Sequence, residues 1–317
     1  MSTAQTAPTL HAPTPSGTTT FAHRRLGTAP DTPLLILTHF RGVMDKLDPL
    51  LLNTLAQHRT LLLVDYAGSA ADILTFLDLI GEKEVDVLGF SLGGMIAQLV
   101  ALNVDPAKLR VRKLILAGTT PSAGEGVLRS GNADVLEVAG AEEVSVETFK
   151  TLFVLRNREG LAAAEQWWAR VHERSAATSG EEPATWLSQG YRDGAVGLKA
   201  QAKQLGDWMT AEATRGEEGS FERFGGLDIP VLVVNGHDDY MVPTFNSFIM
   251  QQKLPNAQLI IYPNSSHGGI FQYASYFAQQ VLAFPNAQLI IYPNSSHGGI
   301  FQYASYFAQQ VLAFLSC

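Results

Sequence analysis

One serine stands in a setting that favours nucleophilic chemistry. Val85-Asp86-Val87-Leu88-Gly89 reads as a buried strand and runs into the pentad Gly89-Phe90-Ser91-Leu92-Gly93. A helical pattern, Met95 to Leu102, follows at once. Strand, sharp turn and helix are what a nucleophile elbow requires. A serine at the apex of such a turn is backbone-strained, so side chains two residues before and after it would collide. Gly89 and Gly93 remove them. The turn lifts the hydroxyl out of the sheet, and the helix N-terminus offers unpaired N–H groups and partial positive charge to an anion forming there. The pentad alone recurs by chance in roughly one chain in ten of this length. Its placement between a strand and a helix carries the weight.

Serine needs a base within hydrogen-bond reach, and the base needs a group to orient it. Asp239 lies just past the apolar run Val231–Asn235, and His267 just past Gln258–Tyr262. In a parallel sheet both loops open on the same carboxyl edge as Ser91. The expected roles are His267 as base and then acid, with Asp239 fixing its tautomer. Asp238 is the rival acid. Asp239 is preferred because it sits three residues after Gly236 and three before Val242. Leu92, directly after the nucleophile, and Phe40 or Arg41, in the loop after a buried strand, are the expected oxyanion-hole amides. His39 reads as structural. No Walker loop, dinucleotide fingerprint or spaced metal-ligand cluster occurs, so neither a cofactor nor a metal is expected.

These residues need a scaffold of alternating strands and helices. Apolar runs at 33–40, 60–65, 85–89, 111–118, 229–236 and 258–262 alternate with helical patterns at 49–57, 71–80, 95–102, 244–253 and 270–284. That alternation indicates an α/β fold with a mostly parallel sheet covered on both faces. Thr20–Leu26 is expected as an edge strand, and residues 1–19, rich in Thr, Pro and Ala, as a disordered tail. Between about 120 and 226 strand runs vanish and helical stretches with Trp167, Trp168, Trp186 and Trp208 take over. This reads as a helical cap within a domain spanning 20–284.

The net charge of −8 argues against nucleic acid or an anionic membrane as partner. The single cysteine, Cys317, leaves no disulfide framework. No apolar run is long enough for a membrane span, and no secretory leader is visible. A cytoplasmic protein acting on a small molecule is the expectation.

The chain ends on a duplication. Pro285–Phe314 repeats Pro255–Phe284 residue for residue, so the unit 285–317 carries a second histidine, His297, in an identical setting. His267 is preferred because the short Thr244–Pro255 connection delivers the first copy to the sheet. Looping out thirty residues costs only on the order of 1–2 kcal/mol, but it would strand an apolar strand and helix within the loop. The spare copy's apolar surface implies self-association.

Taken together, the residues resemble the α/β-hydrolase superfamily, in particular its capped, cofactor-free serine hydrolases of the haloperoxidase and esterase type. The resemblance runs from about Thr20 to Phe284. It rests on the elbow, on Thr38-His39-Phe40-Arg41-Gly42, on Gly236-His237-Asp238-Asp239-Tyr240-Met241-Val242-Pro243 and on Ser266-His267-Gly268-Gly269. It implies a serine hydrolase that cleaves a carboxylic ester or similar small acyl compound through an acyl-enzyme on Ser91. It leaves open a carbon–carbon hydrolase or lyase using the same triad, and perhydrolysis as a side activity. Relative to the family, Phe40 stands in the usual glycine position, and roughly 15–20 residues are missing after Gly68. The missing stretch and the duplicated unit make an impaired, non-enzymatic chain the alternative.

Overall fold

The computed structural model describes residues 2–66, 68–130 and 133–284. Strands β1 (Leu10–Pro13), β2 (Thr20–Leu26), β3 (Leu34–Leu37), β4 (Leu61–Val64), β5 (Glu84–Phe90), β6 (Arg110–Ala117), β7 (Val231–Gly236) and β8 (Ala257–Tyr262) form one eight-stranded sheet in the order β1-β2-β4-β3-β5-β6-β7-β8. β1 pairs with β2, and β2 with β4, antiparallel; every other pairing is parallel. The central strands are Leu-, Val- and Ile-rich because both faces are covered.

One face carries Leu34, Ile36, Leu88, Ile115, Leu232 and Val234. It packs on α1 (Pro49–Ala56) and on α11 (Ala274–Ala283). The other face, with Leu35, Leu37, Val87, Leu114, Leu116 and Val233, packs on α2 (Ala70–Leu79), α3 (Leu92–Asn103) and α9 (Phe245–Lys253). Local signals set the helix starts. Asp48 accepts from the Leu50 amide ahead of α1, and Ser69 and Asp72 form a capping box on α2.

Between β6 and β7 lie α4 (Ala133–Ala139), α5 (Val146–Leu152), α6 (Arg158–Arg170), α7 (Ala176–Ser179) and α8 (Val196–Trp208). They bridge to the sheet layer through buried ion pairs. Arg174 and Arg24 both meet Asp45, at 3.1 and 2.6 Å, and Arg170 meets Asp48 at 2.6 Å. The connection from β4 to α2 is short, and α8 comes down on it: Gln204 donates to the Gly68 carbonyl.

Three sequence expectations need correction. The N-terminal stretch is ordered. β1 pairs along β2, Ala7 is fully buried, and Arg174 donates to the carbonyls of Ala4, Gln5 and Ala7 while Glu181 accepts from Thr9. A consequence is that β2 is interior and β1 is the edge strand. The final helix is also broken at Tyr273, into α10 (Gly269–Gln272) and α11. The duplicated unit 285–317, with His297 and the self-association expected of it, lies outside the described residues.

Candidate active site

The parallel register brings the carboxyl ends of β3, β5, β6 and β7 level: Leu37 faces Gly89, Phe90 faces Ala117, and Ala117 faces Val234. Ser91 follows β5 at this edge with φ 56° and ψ −119°. Such a conformation is uncommon for a non-glycine residue and persists only where its surroundings hold it. The flanking glycines are a steric necessity. A Cβ on Gly89 would stand 2.3 Å from the Gly93 carbonyl oxygen; one on Gly93 would stand 2.4 Å from that of Leu37 and 2.5 Å from that of Thr38. Leu92, first in α3, has no intrahelical acceptor for its amide.

The acid loop after β7 and the histidine loop after β8 are stitched together. His237, Asp238 and Tyr240 donate backbone N–H groups to Tyr262 O (3.0 Å), Ser265 O (3.0 Å) and Ser266 Oγ (3.2 Å). Asp239 is buried; Asp238 is exposed. Asp239 Oδ1 accepts from the amides of Met241 and Val242, both at 2.9 Å, which turns Oδ2 toward His267 Nδ1 at 2.8 Å. Neither side chain of the pair is exposed. A proton on Nδ1 donates to the carboxylate, leaving Nε2 with its lone pair. Nε2 is buried and has no hydrogen-bond partner among the described residues, so the Ser91 hydroxyl is not bonded to it. Serine–base hydrogen bonds are often long in ligand-free sites and tighten with substrate. The ring lies against Phe90, centroids 5.0 Å apart.

His39 is buried among Phe90, Phe153, Trp186 and Phe271. Burial pushes its pKa down to about 4, against the Phe40 carbonyl that its Nδ1 meets at 2.9 Å. It is therefore neutral at ordinary pH.

The two loop amides expected as oxyanion donors part company. The Arg41 amide donates to Gln201 Oε1 at 2.8 Å and is engaged. The Phe40 amide donates to no protein group among the described residues, which leaves Phe40 and Leu92 as the free pair.

The pocket beside Ser91 is tight, a cavity of about 30 Å³. It is lined by His39, Phe40 and Arg41 and, from the cap and the loop after β7, by Val144, Phe149, Leu152, Phe153, Trp186 and Met241. No motif marks Phe149 of α5 or Phe153 just after it. Their only sequence signal was apolar spacing in the cap. Of the tryptophans, Trp186 lines the pocket, whereas Trp167 is fully buried and stacks on Phe149. The Phe153 carbonyl accepts from the Gly268 amide at 2.5 Å, so the cap rests directly on the histidine loop. Among the described residues no three His, Cys, Asp or Glu side chains converge as metal ligands, and no helix is long and apolar enough to cross a membrane.

The alpha/beta hydrolase fold family matches residues 64–274. The chain belongs to this family. It is an enzyme of the alpha/beta hydrolase type, and its mostly parallel eight-stranded sheet with flanking helices is the family's fold. A non-heme chloroperoxidase of Kitasatospora aureofaciens is 28% identical over 204 residues, 64% of this chain and 66% of that protein. A pimeloyl-[acyl-carrier protein] methyl ester esterase of Nitrosomonas europaea is 26% identical over 269 residues, 79% of this chain and 94% of that one. An alpha/beta hydrolase fold protein from Chitinophaga pinensis superposes with a TM-score of 0.73 at 28% identity, covering 90% of this chain and all of its own.

Proposed function

We propose that this enzyme is a serine hydrolase that cleaves small carboxylic esters through an acyl-enzyme on Ser91. The observation that carries the reading is the buried Asp239–His267 pair, whose unpartnered Nε2 sits at the sheet edge that presents the strained serine.

In the proposed reaction Ser91 Oγ bonds to the acyl carbon while its proton passes to His267 Nε2. Asp239 holds the imidazole and stabilises the cation that forms. The carbonyl oxygen takes the negative charge and is met by the amides of Leu92 and Phe40. Collapse breaks the ester C–O bond, and His267 returns the proton to the departing alcohol. Water then repeats the sequence on the acyl-enzyme, releasing the acid and restoring Ser91.

The pocket lining supports an uncharged, short acyl group. Among the described residues Arg41 is its only cationic side chain, and all of its guanidinium N–H groups are used on backbone carbonyls. A carboxylate on the substrate would meet an apolar wall.

A series of p-nitrophenyl esters tests this. Acetate and butyrate should give a nitrophenol burst equivalent to the enzyme, followed by turnover. A hemisuccinate ester should react at least about tenfold more slowly, since an unpaired charge in such a pocket costs more than one decade of rate. No burst, and turnover equal to that of Ser91→Ala, would contradict the proposal.

A further inference from the structure

Arg41 is 2% exposed, and its backbone is left-handed, with φ 59°. An arginine in that conformation must be held from outside. Its guanidinium donates to five backbone carbonyls of the cap: Nε to Leu187 (2.9 Å), Nη1 to Ala139 (3.4 Å) and Ala141 (2.5 Å), Nη2 to Glu142 (3.3 Å) and Ser188 (3.2 Å). Guanidinium has five N–H donors, so the fork is fully matched. The Arg41 carbonyl accepts from the Leu187 amide at 3.0 Å, and its amide donates to Gln201 of α8 at 2.8 Å. This one residue ties together the C-terminal end of α4, the 187–188 segment and α8.

The Arg41 N–H belongs to the peptide plane that follows the Phe40 amide. Rotating that plane changes ψ of Phe40 and φ of Arg41, and Gln201 pins it. The Phe40 N–H itself lies in the preceding plane, shared with the His39 carbonyl, which accepts from the Gly42 amide at 2.8 Å; Thr38 Oγ1 on the Gly42 carbonyl at 3.0 Å closes the turn, so Gln201 acts on the Phe40 amide through the torsions of Phe40 and Arg41.

We propose that Arg41 and Gln201 are positioning residues that couple seating of the cap to formation of the oxyanion hole. With the cap down, the turn is locked and the Phe40 amide is held for the developing oxyanion. With the cap lifted, Arg41 loses its acceptors, the strained turn relaxes and the donor is lost. The enzyme is thereby competent only when its pocket is covered. The inference rests on the proposed roles of Ser91 and the Phe40 amide.

The test compares Gln201→Leu, which removes the acceptor at similar volume, with Gln201→Glu, which keeps an oxygen there. kcat per site titrated by the nitrophenol burst, KM and Tm are measured for both. The expected result for Gln201→Leu is a loss of about tenfold in kcat per active site with KM within about twofold, because an oxyanion donor acts in the transition state. Gln201→Glu should recover kcat to within about threefold of the unmodified enzyme. Arg41→Lys, which keeps the charge but cannot span the carbonyls, should lose kcat as Gln201→Leu does. A Gln201→Leu enzyme with lowered Tm but unchanged kcat per titrated site would overturn the coupling and leave a structural tie. An unmodified chain that shows no burst and turns over no faster than Ser91→Ala would overturn the Ser91 reading, and this inference with it.

Discussion

Replacing Asp239 with Asn separates the two tasks its carboxylate performs. Oδ1 holds the acid loop through the Met241 and Val242 amides, and Oδ2 holds His267 Nδ1. Asparagine can keep the first task with its carbonyl oxygen. Its NH2 group then faces Nδ1, and two donors cannot meet. The imidazole takes the other tautomer, with its proton on Nε2, and Ser91 loses the base. The stabilisation of the imidazolium goes as well. Together these effects should cost about 10³–10⁴ in kcat, or about 4–5.5 kcal/mol of transition-state stabilisation. Folding should lose only about 1–2 kcal/mol, one charge-assisted hydrogen bond's share. The assay is steady-state hydrolysis of p-nitrophenyl butyrate, with urea unfolding of the same samples. Asp238→Asn, at the exposed neighbour, is the control and should stay within about twofold. An Asp239→Asn enzyme within about tenfold of the unmodified one, paired with a crippled Asp238→Asn, would refute the reasoning.

Two further substitutions probe the scaffold. Gly93→Ala should abolish turnover and destabilise the fold by about 3 kcal/mol or more, since its Cβ would enter two backbone carbonyls that cannot yield; a soluble variant with unchanged urea midpoint would contradict this. Asp65 has its pKa raised to about 6 from 3.8, chiefly by burial and further by the Asp45 charge, against the Met44 amide and Arg24. Because the folded value lies above the unfolded one, this group's contribution to stability is greatest below about pH 4 and is lost as pH rises through 6. Asp65 keeps partial solvent contact, so the cost above pH 6 is about 1–2 kcal/mol rather than the full shift. Asp65→Asn should therefore raise stability to urea by that amount at pH 7.5 and by nothing at pH 4; an equal gain at both values would remove the cause assigned here.

The elbow was legible in the sequence because its constraint is local. Gly89, Ser91 and Gly93 lie within five residues, and their steric demands act on one another and on the strand beside them. The loop after β7 was legible for the same reason, and the structure separates its two aspartates, with Asp239 buried on His267 Nδ1 and Asp238 exposed. What stayed hidden depends on distant residues. The order of residues 2–19 owes much to Arg174 and Glu181, whose pull no composition reveals. The engagement of the Arg41 amide comes from Gln201, 160 positions away. Arg41 was legible as a loop residue through its amide. Its side chain, which holds the cap, had no motif to announce it, because backbone carbonyls are acceptors that every sequence supplies.

The most direct test of the central claim is covalent labelling with a fluorophosphonate, mapped by peptide sequencing and repeated on Ser91→Ala, His267→Ala and His297→Ala. A single adduct on Ser91 is expected in the unmodified chain. Labelling should be lost in Ser91→Ala, drop sharply in His267→Ala and proceed at an unchanged rate in His297→Ala. A chain that never labels, or one silenced by His297→Ala while His267→Ala still reacts, would contradict that claim.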